Sequence, residues 1–168
     1  MPKDTDLSEP PLPQPGHIWT VDEANRRLDG IRETLPRLRA WVVRLRAVHD
    51  ELHRLSAFWG KELEAPDNPD REMRDRLTEE WQKLTQRLEG EVHGLQAEGI
   101  EIKDLESGLI DFYALINGEV VFLCWQRGED SVEFYHTLDG GYRSRRPLRE
   151  SGAHRSGDGP EPVGRRRA

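Results

Sequence analysis

The chain has 168 residues, 25 Lys and Arg against 32 Asp and Glu, a formal net charge of −7 and 35% hydrophobic residues. One domain with tails fits that length better than two, and the negative balance opposes binding of nucleic acid or an anionic membrane by the body of the protein. No apolar run approaches the roughly 20 residues that span a bilayer; the single cysteine, Cys124, excludes an intrachain disulfide, so a cytoplasmic location is expected.

Residues 1–16 hold Pro2, Pro10, Pro11, Pro13 and Pro15 among acidic residues. They lack the basic start and apolar centre of a signal peptide, and a disordered arm is expected. Thr20-Val21-Asp22-Glu23 then has the form of a capping box, in which the Thr20 hydroxyl accepts from the Glu23 amide and the Glu23 carboxylate reaches back. From there an apolar stripe runs Leu28, Ile31, Leu35, Leu38, Val42, Leu45, His49, Leu52, Leu55 and Trp59, in steps of three or four. The stripe keeps its phase across Pro36, which predicts one helix kinked there. Ala65-Pro66-Asp67-Asn68-Pro69 reads as a turn, and a second stripe follows from Met73 to Leu95. Residues 17–99 are therefore expected to form an antiparallel helical hairpin that closes at Gly99.

Beyond Gly99 the period falls to two. Ile100–Lys103, Leu109–Ile116, Val120–Gln126 and Ser131–His136 read as strands, with Asn117-Gly118 as a type I′ hairpin turn and Arg127-Gly128-Glu129-Asp130 closing the next hairpin. The expected fold class is α+β: a long helical hairpin packed on a small antiparallel sheet of three to four strands, with residues 100–142 as a β-meander in one domain with the hairpin. From Arg143 the chain carries eight Arg against Glu150, Asp158 and Glu161. Residues 143–168 are expected to be a disordered Arg-rich tail. Its charges are scattered and lack aromatic interleaving after Tyr142, so nucleic acid is not an expected partner.

The two turns set the pairing. Leu123 should stand opposite Phe112 and Phe134, and Cys124 opposite Asp111 and Glu133. One face then carries Ile110, Phe112, Ala114, Ile116, Val121, Leu123, Trp125, Val132, Phe134 and His136, which makes it the core face. The other carries Asp111, Tyr113, Phe122, Cys124, Glu133 and Tyr135, a mixed surface suited to a partner or site.

The Thr20–Asn25 start, Lys103-Asp104, Gly108–Phe112, Leu123-Cys124-Trp125, Gly128-Glu129, His136 and the Gly141–Pro147 segment with Arg145 together resemble an uncharacterised prokaryotic family, domain-of-unknown-function family 2203. The resemblance runs from Ile18 to Leu148. It implies no established activity.

His49-Asp50-Glu51-Leu52-His53 is similar to a zinc-protease helix, but Asp50 stands where the general base requires Glu and no third ligand follows. His49 is better read as a seam residue. Asp111, Cys124 and Glu133 form a cross-strand row that offers a candidate metal set, although carboxylates beside a thiol disfavour the thiolate unless a cation is present. The pairing puts Cys124 and His136 on opposite faces, which argues against a Cys–His site. Glu23, Asn25, Lys103, Asp104, Glu129 and His136 form a second candidate, a polar cluster where the sheet meets the base of the hairpin. His136, alone on an apolar face, should find its partners among Glu23, Asn25 and Glu129. No catalytic residue and no cofactor is identifiable.

The expected function is a non-enzymatic interaction or self-associating module. A homo-oligomer is expected, with a further protein partner compatible. The first alternative is a metal- or small-ligand-binding protein using the sheet face or the His136/Glu129 cluster. The second is weak nucleic-acid binding through the Arg-rich tail.

Overall fold

A computed structural model of the chain describes residues 16–150. Helix α1 spans Val21–Trp59, a 3-10 turn follows at Gly60–Glu64, and helix α2 spans Arg71–Ala97. The capping box forms as the sequence predicts: the Glu23 amide donates to the Thr20 hydroxyl, and the Thr20 amide donates to the Glu23 carboxylate at 2.9 Å. Helix α1 continues through Pro36, which is exposed, so its missing N–H removes one helical hydrogen bond on the solvent side.

The sheet has five antiparallel strands in sequential order, one more than the upper expectation. They are β1 Ile100–Asp104, β2 Leu109–Ile116, β3 Glu119–Gln126, β4 Phe134–Thr137 and β5 Arg146–Pro147. The fifth lies in the segment that composition assigned to the tail. Residues 143–150 are held there because Leu148 is buried in the core and its amide donates to the Glu133 carbonyl at 2.9 Å. The expected arm, apart from Gly16, and the remainder of the expected tail lie outside the described residues.

The β2–β3 register runs from Leu109 opposite Gln126 to Ile116 opposite Glu119, as the Asn-Gly turn dictates. Asn117 at φ 52° and Gly118 at φ 83° supply the two positive angles of that turn. The β3–β4 register departs from expectation by one residue: Leu123 faces Tyr135 and Cys124 faces Phe134. The cause is the loop after β3. Gly128, at φ 104°, allows a tight reversal in which the Glu129 amide donates to the Gln126 carbonyl, and the Glu129 carboxylate accepts from the Gln126 amide at 2.8 Å. A side chain thus occupies the ladder position assigned to a backbone partner, and pairing resumes only at Phe134. One residue of slip turns each later side chain to the opposite face. Phe134 and His136 leave the expected core face, and Tyr135 takes their place against the core.

The core lies between α1 and the inner sheet face, where Leu28, Ile31, Leu35 and Leu38 pack on Ile100, Ile110, Phe112, Leu123 and Trp125. The helices contribute nothing to this core between Trp41 and Leu88. In that span they lie against each other, bridged by Arg44–Glu80, with Arg37–Glu91 bridging them just on the sheet side of it. No helix among the described residues is long and apolar enough to cross a membrane.

Candidate functional site

The register of β4 assembles the site. Asp111 of β2 stands directly opposite Cys124 of β3, and Phe122, two residues before Cys124, stands opposite His136 of β4. All three polar side chains therefore rise from the outer sheet face, the one turned away from α1. They are buried nonetheless, at 1%, 0% and 2% exposure for Asp111, Cys124 and His136. The Tyr113 and Phe122 rings pack together at 4.5 Å, Phe122 lies 5.6 Å from the His136 ring, and Lys103 Nζ sits 4.3 Å over Phe122.

His136 Nδ1 is 2.7 Å from the Thr137 carbonyl oxygen, which only accepts, so Nδ1 carries a proton and donates it. That leaves Nε2 facing Asp111 Oδ2 at 3.1 Å. Two electron-rich atoms at that separation need a positive centre between them, either a proton or a cation. Asp111 Oδ1 is buried with no hydrogen-bond partner. Burial pushes the Asp111 carboxyl above its ordinary range, against the pull of the thiol, the imidazole and Lys103. Burial, followed by the charge of Asp111, also pushes the Cys124 thiol well up. One donor atom from each residue lies within 4.8 Å of the other two, the only such His/Cys/Asp/Glu grouping among the described residues.

A second, part-buried device sits beside it. Arg145 Nη2 donates to both Glu129 oxygens at 2.7 and 2.8 Å and to the Cys124 carbonyl at 3.3 Å. Its guanidinium lies 4.3 Å from the Phe134 ring centre and 4.8 Å from that of Tyr142. The Trp125 indole N–H donates to the Glu129 carbonyl at 2.9 Å. This pair closes the gap in the ladder where β4 has not yet begun, directly behind Cys124.

The chain belongs to the DUF2203 family of uncharacterised conserved proteins. The family matches residues 17–148, which is most of the sequence. No curated protein and no solved structure matches the chain.

Within this member of the DUF2203 family, the two expected candidate sets are redistributed. Asp111 and Cys124 meet as the β2–β3 register predicts, whereas Glu133 is exposed and its carboxylate accepts from Ser131. His136 takes the third place, because the observed register turns it to the same face as Cys124. Its partners are Thr137 and Asp111, not the residues of the hairpin base.

The expected polar cluster does not converge. Glu23 is occupied in the capping box, Asn25 Oδ1 accepts from the Val132 amide at 2.7 Å, and Asp104 accepts from Ser107 and the Glu106 amide in the β1–β2 turn. Lys103 pairs with Glu101, which also accepts from the Tyr113 hydroxyl at 2.7 Å; this contact and burial raise Tyr113 to about 12, with burial the larger cause. Glu23 and Asn25 instead line a separate cleft of about 1220 Å³ between the start of α1 and the sheet. His49 and His53 are both exposed and stack at 6.3 Å, with His49 against Trp81, so His49 borders the seam and does not fill it. Arg145 is the site residue that the functional reading missed. The one signal for it was its place in the motif shared with the family.

Proposed function

We propose that this protein is a small-ligand-binding module whose ligand sits among Asp111, Cys124 and His136 on the outer face of the sheet. The observation that carries the reading is the convergence of an acid, a thiol and an imidazole from three neighbouring strands, all buried, with one carboxylate oxygen unmatched. A group of that kind is costly as mere filling. Apolar side chains of similar volume at the same positions would serve the fold as well or better. The reading is of binding, not catalysis, because burial pushes the thiol up and leaves a nucleophile no open approach to substrate. A thiol kept free fits a reducing compartment such as the cytoplasm.

Native mass spectrometry tests this directly. Wild type should carry excess mass over its denatured chain, and Asp111→Asn combined with His136→Gln should not. Identical, ligand-free masses for both proteins contradict the reading.

The hairpin favours a second reading, self-association as a homodimer. Leu95 is the one fully buried residue of α2, and Val43 and Phe58 on α1 are 63% and 78% exposed. The aromatic surplus that motivated this expectation is smaller than the sequence implies, since Trp41, Trp59 and Trp81 are half-buried and Trp59 donates to Asp70 at 2.8 Å. Light scattering that reports a monomer well above micromolar concentration removes this reading.

A further inference from the structure

Resting on that reading of the site, we infer that its ligand is a single divalent transition cation of the zinc class, held by a carboxylate oxygen of Asp111, Cys124 Sγ and His136 Nε2. Four observations converge on a cation.

The first is spacing. Bonds of about 2.0–2.3 Å to oxygen, nitrogen and sulfur give tetrahedral edges of roughly 3.3–3.6 Å. The Nε2–Oδ2 separation is 3.1 Å, and all three donor atoms lie within 4.8 Å of one another. Closing to coordination distance takes shifts of about 1 Å or less in the side chains.

The second is the tautomer. With the Nδ1 proton given to the Thr137 carbonyl, Nε2 presents its lone pair toward Asp111. A backbone carbonyl behind the far ring nitrogen is the usual outer partner of a metal-bound histidine, and it fixes the ring as well as the tautomer.

The third is the count of unmet atoms. A proton between Nε2 and Oδ2 answers one contact and leaves Asp111 Oδ1 without a partner. A cation answers the carboxylate, the thiol sulfur and the imidazole together.

The fourth is charge. A dication with one carboxylate, one thiolate and one neutral imidazole is neutral overall, so it suits a pocket whose members are at most 2% exposed. The donor set also selects the ion. A thiolate with an imidazole favours zinc, cobalt, nickel or copper, whereas magnesium and calcium require a shell of oxygens that three such residues do not supply. Among the described residues the grouping has three members, one short of the four that a tetrahedral ion takes.

Full-length protein stripped by a chelator and titrated with cobalt(II) tests the assignment. One equivalent should bind and give a thiolate-to-cobalt charge-transfer band in the near ultraviolet. Zinc should abolish the band stoichiometrically, and a thousandfold excess of magnesium should leave it unchanged. Cys124→Ser, close to isosteric, should lack the band, and Asp111→Asn and His136→Gln should each weaken cobalt binding at least tenfold. Cobalt held by His49, His53 or other surface groups would show no such band, since Cys124 is the sole cysteine. A wild type without the band, or a band that survives in Cys124→Ser, overturns the cation. If native mass spectrometry then shows a non-metal mass in wild type, the ligand reading stands while the ion falls. If it shows none, both fall.

Discussion

His136 Nε2 lies 3.1 Å from Asp111 Oδ2 while the opposite ring nitrogen donates to the carbonyl of Thr137. In chelator-treated protein that contact needs a proton, and the two simplest substitutions of Asp111 should differ sharply. Asparagine keeps the shape and can donate to Nε2, so Asp111→Asn should remain within about 1 kcal/mol of wild type or exceed it, because a buried carboxyl is removed. Asp111→Ala strands Nε2 and should cost about 1–3 kcal/mol. Urea unfolding in the presence of chelator separates the two. Equal loss in both variants would mean that the contact does not hold the imidazole.

The Arg145–Glu129 pair should matter more than its position in an Arg-rich stretch implies. Arg145→Ala removes the donor to the Cys124 carbonyl, leaves the Glu129 carboxylate the Gln126 amide but no cation, and uncovers the Phe134 ring. A loss of about 2–3 kcal/mol is expected, reduced from the cost of a fully buried pair because Glu129 is 27% exposed. Arg145→Lys should recover less than half, since an ammonium cannot reproduce the packing of the planar guanidinium on the Phe134 and Tyr142 rings. Arg146→Ala, at an exposed neighbour, should stay within about 0.5 kcal/mol. Comparable losses at 145 and 146 would contradict the placement.

How far the sequence reveals this arrangement depends on which atoms set each register. Asn117-Gly118 fixes β2 against β3 through backbone angles alone, and those angles are legible in the residue types. The β3–β4 register is set by a Glu129 side chain standing in for a strand partner, a choice that no alternation of apolar and polar residues records. The metal-type grouping depends on that one residue of shift, so alternation pairs Asp111 with Cys124 but places His136 on the opposite face. The capping box and both helical stripes were legible because they depend on local spacing. The Arg145 anchor was not, because a buried arginine flanked by Ser144 and Arg146 has the composition of a solvated tail.

The inner face should respond as a packed core and the projecting hairpin as a surface. Phe112 is fully buried, with the Trp19 ring against it at 5.5 Å. Phe112→Ala should cost about 3–5 kcal/mol. Phe58→Ala removes an equally large ring that is 78% exposed and should change stability by no more than about 0.5 kcal/mol in the monomer. Denaturant titration of both variants at low protein concentration checks the contrast.

Glu23 makes a pH signature. The Thr20 amide, followed by the Thr20 hydroxyl, holds the Glu23 carboxyl below its ordinary value of 4.5. A carboxyl lowered on folding contributes stability that is fully present above its unfolded value and is lost as pH falls through its folded value. Wild type should therefore exceed Glu23→Gln in melting temperature at pH 7, and the gap should narrow below about pH 4.5. A gap that widens in acid would reverse the sign and contradict the capping role.

X-ray absorption at the zinc edge, on full-length protein loaded with one equivalent of zinc, addresses the central claim most directly. The account predicts one sulfur neighbour at about 2.3 Å, with nitrogen and oxygen neighbours near 2.0–2.1 Å. It also predicts the imidazole scattering of a single histidine, and loss of the sulfur shell in Cys124→Ser. A shell of nitrogen and oxygen alone in wild type, or failure to retain zinc through desalting, would contradict it.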